Sequence, residues 1–188
     1  YARAMATFPK DFIWGAATSS YQIEGAAYED GRGLSIWDTF CKTPGKVANG
    51  DTGDVANDHY HRYLEDIALM KEIGIKSYRF SFAWPRMFPN GDGVREERGF
   101  AFYDRLINAL LEAGIEPLAT LYHWDLPQCL MDEYGGWESR KIIDDFNEYA
   151  SVLFENYGDR VKYWVSLNEQ NIFVSLGYQL ALHPPGVS

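Results

Sequence analysis

Four short polar segments of the 188-residue chain carry the side chains best suited to chemistry. They lie at residues 19–24, 79–84, 123–125 and 168–171. Glutamine, asparagine and neutral histidine can both donate and accept hydrogen bonds, and tryptophan offers a flat apolar wall. A phosphate would instead call for clustered lysine, arginine or backbone N–H groups. The set therefore favours a neutral polyhydroxyl ligand, and Glu169 in the last segment indicates acid/base chemistry on an acetal.

Composition and charge narrow the class of partner. The formal net charge is −10 and the pI about 4.8, so repulsion opposes binding to a nucleic acid or an anionic membrane. No apolar run approaches the roughly 18–20 residues of a membrane-spanning helix, and the start of the chain lacks a secretory pattern. Cys41 and Cys129 have no paired spacing and are predicted to be reduced thiols, with a disulfide as the alternative. We therefore expect a cytoplasmic protein.

No sequence motif indicates a cofactor or a metal ion. His59 and His61 lie two residues apart on a predicted helix, so they point to different faces and share no ligand. Glu24 is predicted to be a structural partner for a backbone group or a cation. Four tryptophans are predicted to pack rather than to bind a ligand, namely Trp14, Trp37, Trp137 and Trp164.

Alternating strands and helices must hold the polar segments in place. Apolar residues recur at helical spacing in three stretches, each followed by a glycine and then by a short apolar strand. The predicted helices cover about residues 59–73, 102–113 and 140–157, the last with Ser139 as N-cap, and the predicted strands cover about 12–18, 75–82, 115–122 and 161–167. This repeat is typical of βα units around a parallel sheet, and no linker divides the chain.

Two architectures fit four parallel strands. A doubly wound open sheet would place a glycine-rich phosphate loop after an early strand, and no such motif occurs. A barrel of eight βα units needs more than about 200 residues, and four units use nearly the whole chain. The sequence therefore predicts half of a barrel or a smaller open sheet. Because barrel enzymes build their sites at the carboxyl ends of strands, polar side chains after all four strands favour a shared cleft.

Four segments resemble sequence blocks of glycoside hydrolase family 1, the β-glucosidase family. They are residues 12–25, 78–86, 121–127 and 161–169, and the likeness runs in order from about residue 8 to residue 186. The resemblance implies an α/β fold, a TIM-type (β/α)8 barrel of which this chain supplies about the first four βα units. It also implies a single domain, with residues 1–188 as the N-terminal half of the catalytic barrel.

The resemblance further implies roles for individual residues. Glu169 is the general acid/base, which protonates the leaving oxygen and later activates water, and Arg79 gives electrostatic support to the catalytic carboxylates. The residues implied to bind the substrate are Gln22, His123, Trp124 and Asn168. From the residues alone, two structural alternatives stay open: Arg79 could form an ion pair in the barrel core, and Glu169 could stabilise a helix N-terminus.

The chain departs from the family pattern at two points. Gln170 stands where the family motif has proline, which concerns only the local backbone. The family nucleophile is a second glutamate in a later block, which these 188 residues do not contain. We therefore expect a retaining exo-β-glycosidase, foremost a β-glucosidase, that hydrolyses terminal β-D-glycosides and requires a complementary C-terminal half-barrel. The alternatives are a non-catalytic half-barrel fragment that self-associates or binds sugar weakly, and a phospho-β-glucosidase.

Overall fold

The computed structural model describes residues 7–187, which contain a four-stranded parallel sheet. Its strands are β1 (Gly15–Ala17), β2 (Ser77–Ser81), β3 (Glu116–Tyr122) and β4 (Tyr163–Leu167). They are hydrogen-bonded in the order in which they occur in the sequence. A doubly wound sheet reverses its strand order at a switch point, whereas a barrel adds each strand beside the previous one. The observed order is therefore that of successive barrel units.

Helices connect the strands. The α-helices are α1 (Ser20–Ile23), α2 (Ile36–Lys42), α3 (His59–Glu72), α4 (Trp84–Met87), α5 (Glu97–Glu112), α6 (Gln128–Tyr134), α7 (Ile142–Tyr157) and α8 (Gln170–Phe173); short 3-10 turns lie at Ala48–Gly50 and Gly136–Glu138, and a π-helical turn at Val174–Gln179. The three predicted helices are α3, α5 and α7. After α3 and α5, Gly74 and Gly114 adopt φ angles of +86° and +74°, which glycine enters without a Cβ clash.

Two element boundaries differ from those predicted. The strand β1 has three residues, and the apolar residues before it lie outside the ladder and are exposed: Phe12, Ile13 and Trp14 are 43%, 62% and 53% exposed. The helix α7 begins at Ile142, three residues after the predicted N-cap Ser139. The Ser139 hydroxyl instead accepts a hydrogen bond from the Lys141 N–H at 3.2 Å, in the turn that precedes the helix.

The helix α2 lies in a glycine- and aspartate-rich stretch that composition predicts to be a loop. Its start is fixed by a capping box, in which the Ser35 hydroxyl accepts from the Asp38 N–H at 3.3 Å and the Asp38 carboxylate accepts from the Ser35 N–H at 2.7 Å. The guanidinium of Arg32 pairs with the same carboxylate at 2.9 Å. These reciprocal bonds stabilise the start of this short helix.

The two faces of the sheet differ in how they are covered. Tyr78 and Phe80 of β2 are buried against the helices, and the ring of Phe80 stacks on Tyr103 of α5 with centroids 6.4 Å apart. The opposite face is open and forms a depression of about 480 Å³, whose lining includes Ala17, Arg79, Leu118 and Tyr163. In a closed barrel this face is the interior, which the side chains of all strands fill together.

Candidate active site

A cavity of about 470 Å³ lies at the carboxyl end of the sheet. Three of the predicted substrate-binding residues, Gln22, His123 and Trp124, line it from the ends of β1 and β3. The remaining wall comes from α1, from α2, from the loop between α2 and α3 and from the segment after β4, and it includes Tyr21, Trp37, Asp51, Thr52 and His183. Among the described residues no lysine or arginine lines this cavity. Flat rings and uncharged hydrogen-bonding groups therefore dominate the surface that a ligand would meet.

The side chain of Asn168 joins three strand ends through a chain of hydrogen bonds. Arg79 on β2 donates from Nη2 to Asn168 Oδ1 at 2.6 Å, and from Nε to the Thr120 hydroxyl at 2.8 Å. On its other side, Asn168 Nδ2 lies 3.2 Å from His123 Nε2. Because a guanidinium can only donate, the Asn168 oxygen faces Arg79 and its NH2 group faces His123. Asn168 is 7% exposed, so this orientation is held away from bulk water.

His123 is kept neutral by its surroundings. Burial and the nearby positive charge of Arg79 lower the pKa of His123 to about 4. Since Asn168 Nδ2 donates to Nε2, the proton of the neutral ring sits on Nδ1. The Nδ1 atom is buried and has no protein partner among the described residues. At neutral pH His123 is therefore uncharged, and its ring lines the cavity.

Backbone strain accompanies the site at the end of β3. Trp124 has a φ angle of +76°, a left-handed conformation that is uncommon for a bulky residue. Its indole Nε1 donates to the backbone oxygen of Asn168 at 2.8 Å, and its ring centroid lies 5.8 Å from that of His183. These contacts outweigh the local strain and set the direction of the ring. The ring therefore forms part of the cavity wall rather than of the helical layer.

Glu169 follows Asn168 directly and also has a left-handed backbone, with φ at +45°. Its backbone oxygen accepts from the Ile172 N–H at 2.9 Å as α8 begins, and its side chain is exposed. Within residues 7–187 its carboxylate makes no hydrogen bond or ion pair, and it does not line the cavity. Gln170, in the family's proline position, is the first residue of α8, so the short helix forms without proline.

Arg79 and Glu24 have different environments, although both were candidates for a structural ion pair. No carboxylate of the described residues lies within 4.0 Å of Arg79, so the core ion pair is not formed there. Glu24 is the structural partner that the sequence predicts: its carboxylate accepts from Arg86 Nε at 3.0 Å and from the Tyr103 hydroxyl at 2.5 Å. Glu24 is thus engaged in the fold beneath the cavity.

Several residues of the site were not predicted from the sequence. Trp37 was predicted to pack, but it both packs and lines the cavity, where its ring stacks on Tyr21 with centroids 5.7 Å apart. His183 also lines the cavity, where its ring centroid lies 5.4 Å from that of Trp37. Beneath them Ser20 donates from its hydroxyl to Asp125 at 2.6 Å. The polar segments around Gln22 and His123 contained Ser20 and Asp125, but nothing in them indicated a bond across 105 residues.

The remaining predictions concern metals, thiols and membranes. His59 bonds to Asp66 and His61 bonds to Asp58, each separately, and residues 7–187 contain no cluster of three potential metal ligands. Cys41 and Cys129 are free thiols. In the same range, no helix combines the length and the apolar character that crossing a bilayer requires.

The strand order and the position of the cavity define a TIM-type barrel protein whose site is built at the carboxyl ends of its strands. Comparison with known proteins then identifies the family. A sequence model of Glycosyl hydrolase family 1 matches residues 4–188, and the chain therefore belongs to that family. It contributes about the first four βα units of the barrel.

Three relatives illustrate the extent of the similarity. The chain is 61% identical over 96% of its length to the aryl-phospho-β-D-glucosidase BglC of Bacillus subtilis and covers 38% of that protein. It is also 61% identical over 96% of its length to β-glucosidase A of Acetivibrio thermocellus, of which it covers 40%. A solved structure of a family 1 β-glucosidase from Thermotoga maritima is 54% identical, with a TM-score of 0.93, over 96% of this chain and 40% of that one. The chain thus spans about two fifths of the length of these relatives.

Proposed function

We propose that the whole protein is a retaining exo-β-glycosidase, foremost a β-glucosidase, with Glu169 as its general acid/base. The observation that carries this proposal is the hydrogen-bonded chain Arg79–Asn168–His123, whose middle residue, Asn168, immediately precedes Glu169. Family membership and the names of relatives, several of them β-glucosidases, support the reaction class. The Thermotoga maritima enzyme has been solved in complex with glucoimidazole, which supports a glucoside as substrate.

In the proposed mechanism Glu169 acts twice. It first protonates the glycosidic oxygen while a nucleophilic carboxylate attacks the anomeric carbon, and it then removes a proton from the water that hydrolyses the glycosyl-enzyme. The carboxyl groups of a retaining pair stand about 5–5.5 Å apart, so the nucleophile must approach Glu169 closely. We infer that a complementary C-terminal half-barrel supplies it, and that residues 1–188 form the N-terminal half of one catalytic domain.

The other proposed residues hold the sugar and tune the charges. Asn168 hydrogen-bonds the 2-hydroxyl, a contact that strengthens in the oxocarbenium-like transition state. Gln22 and neutral His123 bind hydroxyls on the far side of the ring, and Trp124 lies alongside them. Arg79, which has no carboxylate partner in the described residues, has a positive charge available to keep the nucleophile ionised.

The proposal is tested in a completed enzyme, in which this chain replaces the matching 40% of β-glucosidase A of Thermotoga maritima. Glu169→Gln removes the transferable proton while keeping the shape of the side chain. We expect hydrolysis of an alkyl β-glucoside, whose leaving group needs protonation, to fall by about 10²–10⁴-fold. Formation of the glycosyl-enzyme from 2,4-dinitrophenyl β-glucoside, whose leaving group needs no acid, should change far less.

Glu155→Gln serves as the matched control, because Glu155 is an exposed glutamate on α7. This variant should react with both substrates at the same rates as the parent. A folded completed enzyme that hydrolyses no β-glycoside would contradict the reaction class. Retention of alkyl glucoside hydrolysis by Glu169→Gln would contradict the assignment of the acid.

A phospho-β-glucosidase is the second candidate, because BglC of Bacillus subtilis is 61% identical. A 6-phosphate requires cationic partners, and none of the described residues lining the cavity is lysine or arginine, whereas Asp51 lies there. These residues form only the part of the site that the chain supplies, which is 38% of the length of BglC, so the cationic partners of a phosphate are left to the rest of the protein. The two candidates are distinguished by measuring how fast the full-length protein hydrolyses 4-nitrophenyl β-glucoside and its 6-phosphate.

A further inference from the structure

Asp125 is a buried carboxyl group that the proposed chemistry does not use. It follows His123 and Trp124 at the end of β3 and is 1% exposed. Its Oδ2 accepts a hydrogen bond from the Ser20 hydroxyl at 2.6 Å, across 105 residues of sequence. Its Oδ1 is also buried and has no protein partner among the described residues.

Ser20 extends this contact to a third strand. Its backbone N–H donates to the Ser81 hydroxyl at 2.8 Å, and Ser81 donates in turn to the Ser20 hydroxyl at 3.1 Å. Ser81 is the last residue of β2, and Ser20 is the first residue of α1, just after β1. The carboxyl group of Asp125 is therefore tied to the ends of three adjacent strands.

The tie connects two opposite walls of the cavity. Gln22 lies two residues after Ser20 within α1, a helix of only four residues whose N-cap makes no side-chain hydrogen bond. On the other wall, His123 and Trp124 immediately precede Asp125. The bonds made by Ser20 therefore tie α1, which carries Gln22, directly to the end of β3.

The environment of Asp125 argues against a role in stability. Glu24, the neighbouring buried carboxylate, has Arg86 as a partner, whereas no cation of the described residues lies within 4.0 Å of Asp125. Burial accordingly raises the pKa of Asp125 to about 7. A buried carboxyl without a cation is costly to the fold. We therefore expect Asp125 to contribute to the geometry of the residues beside it.

We propose that Asp125 is a positioning residue, which acts through Ser20 to fix Gln22 at a set distance from His123 and Trp124. The proposal rests on the proposed function, because the position of Gln22 would matter for binding of the sugar ring. The hydrogen bond from Ser20 needs only an oxygen acceptor, so an amide can replace the carboxyl group. An apolar side chain cannot accept it, so the direct tie between Ser20 and the end of β3 would be lost.

The test uses the completed enzyme and a β-glucoside substrate. Asp125→Ala and Ser20→Ala should each lower kcat/KM by about tenfold, the order expected for one hydrogen bond, whereas Asp125→Asn should stay within about threefold of the parent. The decisive comparison is made in a Gln22→Ala background. In that background Asp125→Ala should lower kcat/KM by less than about twofold, because the Gln22 side chain that it positions has already been removed.

Asp145→Asn is the matched control: Asp145 is a buried carboxylate on α7 that accepts from the Tyr134 hydroxyl at 2.6 Å. It should lower the melting temperature without changing kcat/KM. An undiminished effect of Asp125→Ala in the Gln22→Ala background would overturn the proposal, as would equal losses in the control. Should Asp125→Ala not fold, Ser20→Ala makes the same comparison. Loss of activity in Glu169→Gln remains a separate readout, so failure of the proposed function is recognised independently.

Discussion

Arg79 and Asn168, which lie 89 residues apart, meet at 2.6 Å between Nη2 and Oδ1. This contact spans the ends of β2 and β4 and determines which end of the Asn168 amide faces His123. Arg79 thereby sets the tautomer of His123 through the intervening Asn168 amide, without a direct hydrogen bond to the ring.

Arg79→Met should release the orientation of Asn168. We expect a mixture of His123 tautomers instead of the Nδ1-protonated form, because the Asn168 amide can then turn its oxygen toward the ring. The ¹⁵N shifts of the His123 ring nitrogens in the 188-residue chain report the tautomer directly. Arg62→Met, which removes an exposed pair with Glu65, is the control and should leave those shifts unchanged.

The neutral state of His123 should appear as a pH dependence of stability. Its folded pKa of about 4 lies below the unfolded value, so the unfolded chain takes up the proton first. Stability from this source is complete above about pH 6.5 and is lost as the pH falls toward 4. Urea unfolding at pH 7 and pH 5 should therefore show a smaller acid loss for His123→Gln than for the parent.

His61 provides a control of opposite sign. Hydrogen bonds to Asp58 and Glu29 raise the pKa of His61, so its contribution is present at low pH and is lost as the pH rises. His61→Gln should therefore increase the loss of unfolding free energy between pH 7 and pH 5. Identical pH profiles for the parent and His123→Gln would contradict the buried, neutral state of His123.

Glu24→Gln should destabilise the chain strongly. Arg86 is 0% exposed and pairs with Glu24 at 3.0 Å, so the variant leaves a buried guanidinium without its countercharge. We expect a loss of about 3–5 kcal/mol in the free energy of unfolding, measured by urea denaturation. Asp104→Asn, which removes a partly exposed pair with Arg160, should cost less than about 1 kcal/mol. Similar losses for both variants would contradict the account of Glu24.

The open face of the sheet should make the 188-residue chain self-associate. Tyr163 on β4 is 54% exposed on the uncovered side, and β1 and β4 each leave one edge unpaired within the described residues. Light scattering should give an average mass that rises with concentration. Tyr163→Lys should lower that rise, whereas Ile143→Lys, at an exposed position on α7, should not. A monomeric parent at all concentrations would be evidence against the self-associating fragment.

Sequence patterns predict the fold well where a local signal exists. Helix, glycine and strand recur visibly, so α3, α5 and α7 and the strands that follow them are predicted with small errors at the ends. The short helices α1, α2, α4, α6 and α8 were not predicted. For α2, the Ser35–Asp38 capping box is a local signal, but it lies in glycine-rich surroundings. Before β1, the apolar residues led to a strand that was predicted too long. Trp14 is apolar but exposed, and it lies outside the strand.

The sequence predicts which residues belong to the candidate site, but it does not predict the hydrogen bonds and backbone conformations that join them. The strand-end motifs bring Gln22, His123 and Asn168 to one region, as a barrel requires. The bond between Ser20 and Asp125, and the left-handed backbone of Trp124, depend on contacts between distant parts of the chain. Such contacts follow from the three-dimensional packing, and no pattern in a single segment specifies them.

The sequential strand order also has a consequence for biosynthesis. Each of β2, β3 and β4 pairs with a strand that leaves the ribosome before it, so the sheet can assemble in the order of translation. By the time Asn168 emerges, its partners Arg79 and His123 have already been made. The hydrogen bonds that join Arg79, Asn168 and His123 can therefore form during translation, as soon as β4 pairs with β3.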